Sequence, residues 1–574
     1  MNVIGVDVGT TSVRLAIISF RGANSQDVVV LSSHEKAIGH YQDGSKFEQS
    51  SKEIWEAICY CCRESLRKAN LSGKYIQGIA FSATCSLVIE DNEAEKSKHK
   101  NDVIMWMDHR AIGEAQSVTE STSKVLNQFG GICSPEFSLA KLLWLKKHEP
   151  NRFEAARGLF ELPDWLVYRC LDNNLPEQSP RSVCCLTCKW GFDADQKSHC
   201  EYVKQLGPKI EEKIGTKVYG PGKLAGFIGK KPAEELGLLS INQLNGLNKE
   251  NTEPKLKIAV GTSLIDAHSG MLAMLSLPLQ DYGIKSRKIE STFCSLAGTS
   301  SCHMLLSKEK NFVKGIWGPY KNVILDDYYL LEAGQSLTGK LIEICITTHE
   351  EGKAKLAAGE RIYDIINELN SKLIDGSASS LKGSSTDLLV LPFFHGNRSP
   401  LANPRLMGGV YGLKASGTRS LLEYYVATIE SICYETKSIV ETLGTKLDTM
   451  LVSGGLMKNV YYMQTLANVL NCRVLKMSLD DIDFMVMGSA LVARQAVRNS
   501  MTMTSTLMDD GNIDSNLSLN LSSLENIHYE QLYALEKYAP QISKLKYHQE
   551  KYLCYKEFVD FSLRIDKISS NYGL

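Results

Sequence analysis

The feature that most restricts the fold of this chain is a repeat. It begins MNVIGVDVGTTSVRLAIIS, two apolar runs of strand length broken at Asp7-Val8-Gly9-Thr10-Thr11-Ser12. About 290 residues later CSLAGTSSCHMLLS (294–307) again reads as strand, Gly-Thr-Ser turn, strand. A hairpin apolar on both arms and hydroxyl-rich at its tip is either an ordinary turn or a device for holding phosphate. Glycine lets backbone N–H groups approach phosphate oxygens closely, and Thr and Ser add donors. Its recurrence, once in each half, predicts two lobes with related folds.

Around the first hairpin, strand-length runs at Val3–Val8, Val13–Ser19, Val28–Ser32, Ile76–Ser82, Leu87–Ile89 and Val103–Met107 alternate with helical periodicity over 52–68 and 139–147. Such alternation predicts an α/β lobe over 1–275, closed by the strand-turn-helix IAVGTSLIDAHSGMLAML. A polar connector (276–293) leads to a second lobe (294–498), with a β-α-β unit at LDTMLVSGGLMKNVYYMQTLANVLNCRVLKM and a helix near 484–497. Residues 499–574 read as a loose Ser/Thr/Asn/Met segment followed by C-terminal helices packing on the second lobe.

The 574 residues suit two large domains. Lys and Arg total 64 against 65 Asp and Glu, so no net field exists to hold nucleic acid or an anionic membrane surface. No run approaches the roughly 18 apolar residues of a membrane span, and no signal-peptide pattern opens the chain, so a cytoplasmic protein is expected. The 16 cysteines are scattered as in a reduced protein. The clusters CYCC (Cys59, Cys61, Cys62) and CCLTC (Cys184, Cys185, Cys188) read as buried thiols, since neither is followed by a second pair at zinc spacing.

A third glycine turn, SGGLMKN (453–459), joins a strand to a helix. None of the three turns has the P-loop ending or the Rossmann G-x-G-x-x-G. Two hydroxyl-rich hairpins and a late Gly-Gly turn together resemble the ATPase core of sugar kinases, actin and heat-shock chaperones. Four further stretches, MWMDHRA (105–111), GTSLIDAHSG (261–270), LEAGQSLTG (331–339) and FFHGNRSPLANPRLMGGVYGL (393–413), are similar to the FGGY carbohydrate kinase family. The resemblance is collinear over residues 1–497. ATCSLV (83–88), the Trp-Met-Asp-His-Arg run, GIWGPY (315–320) and HGNRSPLANPR resemble the D-ribulose kinase branch most.

The resemblance implies an α/β, two-lobe, actin-like ATPase fold of duplicated ribonuclease H-like domains with the active site in the cleft between them. It implies ATP-dependent phosphorylation of the terminal hydroxyl of a ketopentose such as D-ribulose, with Mg²⁺, and it leaves room for a homodimer. Other ketoses and polyols (L-ribulose, xylulose, sedoheptulose, a sugar alcohol) stay open, as does a switch ATPase of the actin or chaperone kind.

For individual residues the resemblance implies Asp266 as the catalytic base, also touching sugar and, with Asp7, Mg²⁺ through water. Gly9, Thr10, Thr11 and Ser12, with Gly298, Thr299 and Ser300 from the other lobe, would hold phosphate. Ala83, Thr84, Cys85, Trp106, Asp108, His109, Arg110 and Glu332 would meet the sugar, and Gly454, Gly455 and Asn459 the nucleotide. Each position also has a plain reading: a helix N-cap for Asp266, an Asx-turn for Asp7, an internal ion pair for Asp108 with Arg110, a helix cap for Glu332, and a packing turn for the glycines. Asn397 and Arg398 belong to the resemblance without a role that the residues themselves suggest.

Overall fold

The computed structural model describes residues 1–572 except 23–26, 97, 172–174, 240–257, 279–287, 375–386, 416–418, 480–481, 507–518, 525–526 and 530–532. Half of the expected connector and about half of the loose segment thus lie outside the described residues.

In the first lobe β1 (Asn2–Val8), β2 (Ser12–Arg21) and β3 (Asp27–Ala37) form an antiparallel meander. β4 (Ile76–Ala83) joins parallel to β1, and β5 (Leu224–Phe227) and β6 (Ala259–Gly261) complete the order β5-β6-β4-β1-β2-β3. Helix α1 (Ser51–Lys68) covers β2 and β3. A separate five-stranded sheet, containing Lys46–Gln49, Leu87–Glu90, Val103–Ile104 and Gly158–Glu161, is inserted beside this core. Helix α2 (Val183–Trp190) lies next to the short strand Leu264–Ile265, which pairs with β4 and runs directly into α3 (Asp266–Leu275).

The second lobe repeats the plan. β7 (Thr292–Ala297) and β8 (Ser301–Ser307) make the hairpin, β9 (Trp317–Lys321) and β10 (Tyr329–Gln335) extend it, and β11 (Thr449–Ser453) and β12 (Arg473–Leu479) add parallel strands. The order is β9-β10-β8-β7-β11-β12. In both lobes the first hairpin strand has its antiparallel partner on one side and a parallel strand on the other, the arrangement of duplicated ribonuclease H-like units. Helix α4 (Leu421–Leu443) opens with a capping box, Ser420 to Glu423, that brackets its two leading leucines. It packs on α5 (Val460–Leu470).

Helix α6 (Phe484–Thr506) follows the second sheet in the chain but lies on the first, against β1, β4 and β6. That explains why β1 reads as an almost unbroken apolar run: both of its faces are covered. Gly5 makes the close approach possible, since a Cβ there would meet the Val486 carbonyl oxygen at 2.2 Å. Helical periodicity identifies α6 as a helix but cannot tell which sheet it covers.

Among the described residues the tail holds a one-turn helix (Leu521–Leu524), two short strands and one long helix, where helices alone were expected. His528–Tyr529 joins β3 and Tyr533–Tyr538 joins β12, so the tail adds a strand to each sheet. Helix α7 (Ile542–Tyr572) packs on α4 and α5. A buried ion pair, Lys551 Nζ to Glu430 at 2.6 Å, fastens it, as does a hydrogen bond between Tyr434 Oη and His548 Nδ1 at 3.0 Å. Among the described residues no helix is long and apolar enough to cross a membrane.

His548 is buried, and that burial, with nearby Lys551, Lys544 and Lys437, pushes its pKa down to about 3. A depressed histidine is neutral in the folded chain, so its contribution is complete above the unfolded value near 6.5 and is lost as pH falls toward 3. Denaturation midpoints across that window are expected to fall with acidification. His548→Gln should flatten the slope, and an unchanged slope would place the acid sensitivity elsewhere.

Candidate active site

The two hairpin tips have different duties for similar sequences. In the first, Gly9 N donates to Ser12 O at 2.9 Å, and Thr10 Oγ1 accepts from Trp106 Nε1 at 3.1 Å. Ser12 Oγ turns inward and donates to Glu35 at 2.6 Å, while Thr11 is exposed. In the second, Gly298 N donates to Ser300 O at 2.9 Å, and the carbonyls of Gly298 and Thr299 accept from the backbone of Thr338 and Gly339. Thr299 is exposed and Ser300 partly so.

The Gly-Gly turn lies directly behind the second hairpin. Gly454 adopts φ +96°, and a Cβ on it would meet the Ala297 carbonyl oxygen at 2.5 Å. Gly455 has open space around its Cα. Asn459 caps α5: Oδ1 accepts from Tyr462 N at 3.1 Å, and Nδ2 donates to Tyr425 Oη at 2.7 Å. Its amide is therefore engaged inside the lobe.

Asp7, near the end of β1, is 1 % exposed. It accepts from Ser82 Oγ at 2.9 Å and stands 3.8 Å from Arg14, which also pairs with Asp483. Burial and the like charge of Asp266 push its pKa up to about 7, against Arg14 and Ser82. Asp266 is the first residue of α3. One carboxylate oxygen accepts from Ala267 N at 2.7 Å, and no described donor reaches the other. Burial raises its pKa as well, while the Ala267 N–H, His268 and Lys189 oppose the shift. Partial capping of its own helix thus coexists with a free oxygen.

Strand Val103–Ile104 ends before the Trp-Met-Asp-His-Arg run, which forms a turn. Its cleft-side member is Trp106, held by Thr10 and, through its backbone N, by Ser86 Oγ at 3.2 Å. Ser86 Oγ also lies 3.3 Å from Thr84 Oγ1, which ties the Ala83-Thr84-Cys85 segment at the end of β4 to the same wall. Asp108 is fully buried and accepts from Phe47 N at 2.7 Å, from Arg110 N at 2.9 Å and from the Arg110 guanidinium. Arg110 also reaches Glu48 at 2.7 Å. These two residues form the internal ion pair, with the hydrogen-bonding capacity of Asp108 largely used. The His109 ring is half-buried and its pKa lies below the usual histidine value, chiefly through burial.

Glu332 on β10 is 4 % exposed and lies 3.2 Å from His268 Nε2, a contact between the lobes. Burial would raise its pKa, but Lys189, His268 and Arg398 hold it below the ordinary carboxylate range.

Two residues to which local sequence pattern assigned no role complete the site. Lys189 sits on α2, a helix whose eight residues are all buried. Its ammonium lies over the rings of Phe137 (5.2 Å) and Trp317 (5.1 Å) and makes no hydrogen bond or ion pair with any described residue. Burial would lower its pKa, but Cys85, Glu332, Cys188 and Glu136 raise it. Arg398 grips both oxygens of Glu136 at 2.7 Å across the lobes and lies over Trp106 and Trp317. Gly334 leaves it room, since a Cβ there would meet Arg398 Cδ at 2.3 Å. The detectable signal for Lys189 was a charge inside an otherwise unbroken buried helix, VCCLTCKW.

Beneath this wall Cys184 Sγ lies 3.0 Å from His268 Nδ1. Burial opposes charge on the sulfur, yet hydrogen bonds with Cys185, Cys188 and His268 hold its pKa well below the usual thiol value. The imidazole, although buried, is pushed up to about 10 by Cys184 and Glu332.

Two ribonuclease H-like lobes, a glycine-hydroxyl hairpin in each, and ionisable groups meeting across the cleft define a phosphotransferase of the actin-like ATPase fold. Residues 2–184 match the FGGY family of carbohydrate kinases, N-terminal domain, and residues 294–496 its C-terminal domain. An FGGY carbohydrate kinase domain-containing protein of Homo sapiens is 34% identical over 85% of this chain and 87% of that protein. A D-ribulokinase of Saccharomyces cerevisiae is 30% identical over 86% of this chain and 71% of its own. Among solved structures, a gluconate kinase from Lactobacillus acidophilus superposes with a TM-score of 0.72 at 17% identity, covering 97% of each chain. The chain belongs to the FGGY family of carbohydrate kinases and is an ATP-dependent sugar kinase. That membership sets aside the actin-like or chaperone-like switch.

Proposed function

We propose that the cleft transfers the γ-phosphoryl group of ATP to the terminal hydroxyl of D-ribulose, giving D-ribulose 5-phosphate and ADP. The observation behind a polyol site here is Lys189. A buried ammonium without a protein acceptor is costly by several kcal/mol, and a ligand rich in hydroxyl oxygens supplies the missing acceptors. Similarity to the yeast D-ribulokinase supports the choice of sugar.

In this reading Glu332 and Lys189 hold sugar hydroxyls, Trp106 and the Ala83–Cys85 segment form the wall, and Asp108 with Arg110 keeps that wall in place. Asp266 accepts the hydroxyl proton as the sugar oxygen bonds to the γ-phosphorus and the bond to the ADP oxygen breaks. Burial raises its pKa, which makes the ionised carboxylate a stronger proton acceptor than an exposed one. The hairpins at Gly9–Ser12 and Gly298–Ser300 contribute backbone donors for the phosphates, and Gly454 and Gly455 give the nucleotide a surface without side chains. Ser12 and Asn459 support this from behind, because their side chains are committed to Glu35 and Tyr425.

Asp7 and Asp266 fit a hydrated Mg²⁺: they are oxygen donors whose mutual repulsion, with only Arg14 nearby on the Asp7 side, leaves room for more positive charge. Bound there, Mg²⁺ would neutralise charge on the β- and γ-phosphates. In a coupled ADP-release assay over D-ribulose, L-ribulose, xylulose, sedoheptulose and sugar alcohols, D-ribulose should show the highest kcat/KM, by about tenfold or more. A higher value for any other member would reassign the substrate.

A further inference from the structure

Cys184 and Cys188 stand one turn apart on α2, so their sulfurs share a face. His268, 84 residues away on α3, points Nδ1 at them, and the three ligand atoms all lie within 4.8 Å of one another. All three residues are buried. Ligands of one tetrahedral zinc ion, bonded at about 2.3 Å for sulfur and 2.0–2.1 Å for nitrogen, stand about 3.5–4 Å apart. The cluster therefore reaches coordination distance with side-chain shifts of about 1 Å. The far side of the ring supplies a second, independent indication: Nε2 faces Glu332 at 3.2 Å, the carboxylate-histidine arrangement that orients an imidazole toward a metal.

We infer that Cys184, Cys188 and His268 form a binding site for a thiophilic divalent cation of the zinc class. Among the described residues the cluster has three ligands, so the fourth position falls to water. Binding forms two metal–sulfur bonds and one metal–nitrogen bond and releases the protons those atoms carry, without any redox change. The cation ties α2, which presents Lys189, to α3, which presents Asp266, and it fixes the ring that contacts Glu332. The sequence conceals this site, because the third ligand is far from the cysteine pair.

The test uses the full chain, produced in zinc-supplemented medium and handled without oxygen. The expected zinc content is about one per chain, and X-ray absorption on the wild-type protein should give two sulfur scatterers near 2.3 Å and nitrogen or oxygen near 2.0–2.1 Å. Zinc well below stoichiometric, a shell of nitrogen and oxygen alone, or a shell of four sulfurs would overturn the inference. Cobalt titration of chelator-stripped protein should give the visible bands of a tetrahedral thiolate site. Cys184→Ser and Cys188→Ser should weaken that binding about 100-fold while Cys61→Ser leaves it unchanged. Equal binding by all three variants would assign the metal to other cysteines. Because the absorption measurement needs no variant, a serine substitution that impairs folding does not affect it.

Discussion

Asp266→Ala is expected to lower kcat for sugar phosphorylation about 10²–10⁴-fold, while ATP affinity measured by calorimetry stays within a few-fold. The split follows from geometry. Asp266 opens α3 with one oxygen held by Ala267 N and the other free, and the glycine turns proposed for the nucleotide lie on other elements. Losing a helix-terminal carboxylate costs about 1 kcal/mol of stability, too little to unfold a chain of this size. Near-normal turnover in the alanine variant would remove Asp266 from the chemistry. Loss of ATP binding together with turnover would make its hold on Mg²⁺ and the phosphates, and not proton transfer, its main duty.

The second large effect belongs to Lys189. Lys189→Met keeps the stem and contacts with Phe137 and Trp317 but removes the charge that helps keep Glu332 ionised. Charge-assisted hydrogen bonds of this kind contribute roughly 1.5–3 kcal/mol, and more where a buried partner is left uncompensated, so kcat/KM for the sugar should fall about 10²–10³-fold. ATP hydrolysis without sugar should not change. A kcat/KM within threefold of wild type would show that Lys189 balances internal charge only. A parallel fall in sugar-free hydrolysis would point to general damage to the cleft.

What the sequence disclosed is what short segments determine. The two hairpins and the Gly-Gly turn follow from residue chemistry within a few positions, and the strand orders around β1 and β7 are the duplication the echoing hairpins implied. What stayed hidden depends on partners far away. Asp108 looked available for a sugar until Phe47 N, Arg110 and, behind Arg110, Glu48 were seen to engage the pair. Asn459 looked like a nucleotide contact, but Tyr425 and the start of α5 engage its amide. Local pattern identifies a polar side chain but not which of its donors and acceptors are already used. Lys189 was missed, and Arg398 was named without a role, for the opposite reason: their significance lies in what surrounds them, a buried aromatic wall and a carboxylate on the opposite lobe.

Helix α6 has a consequence for how the molecule is made. Strands β1, β4 and β6 leave the ribosome long before the helix that covers them, and the groove at Gly5 waits for Val486 and Ala490. During synthesis the first sheet keeps an uncovered apolar face until nearly 500 residues have been translated. The nascent chain therefore has to shield that face from other molecules until α6 emerges, and the two lobes mature together, the second completing the first.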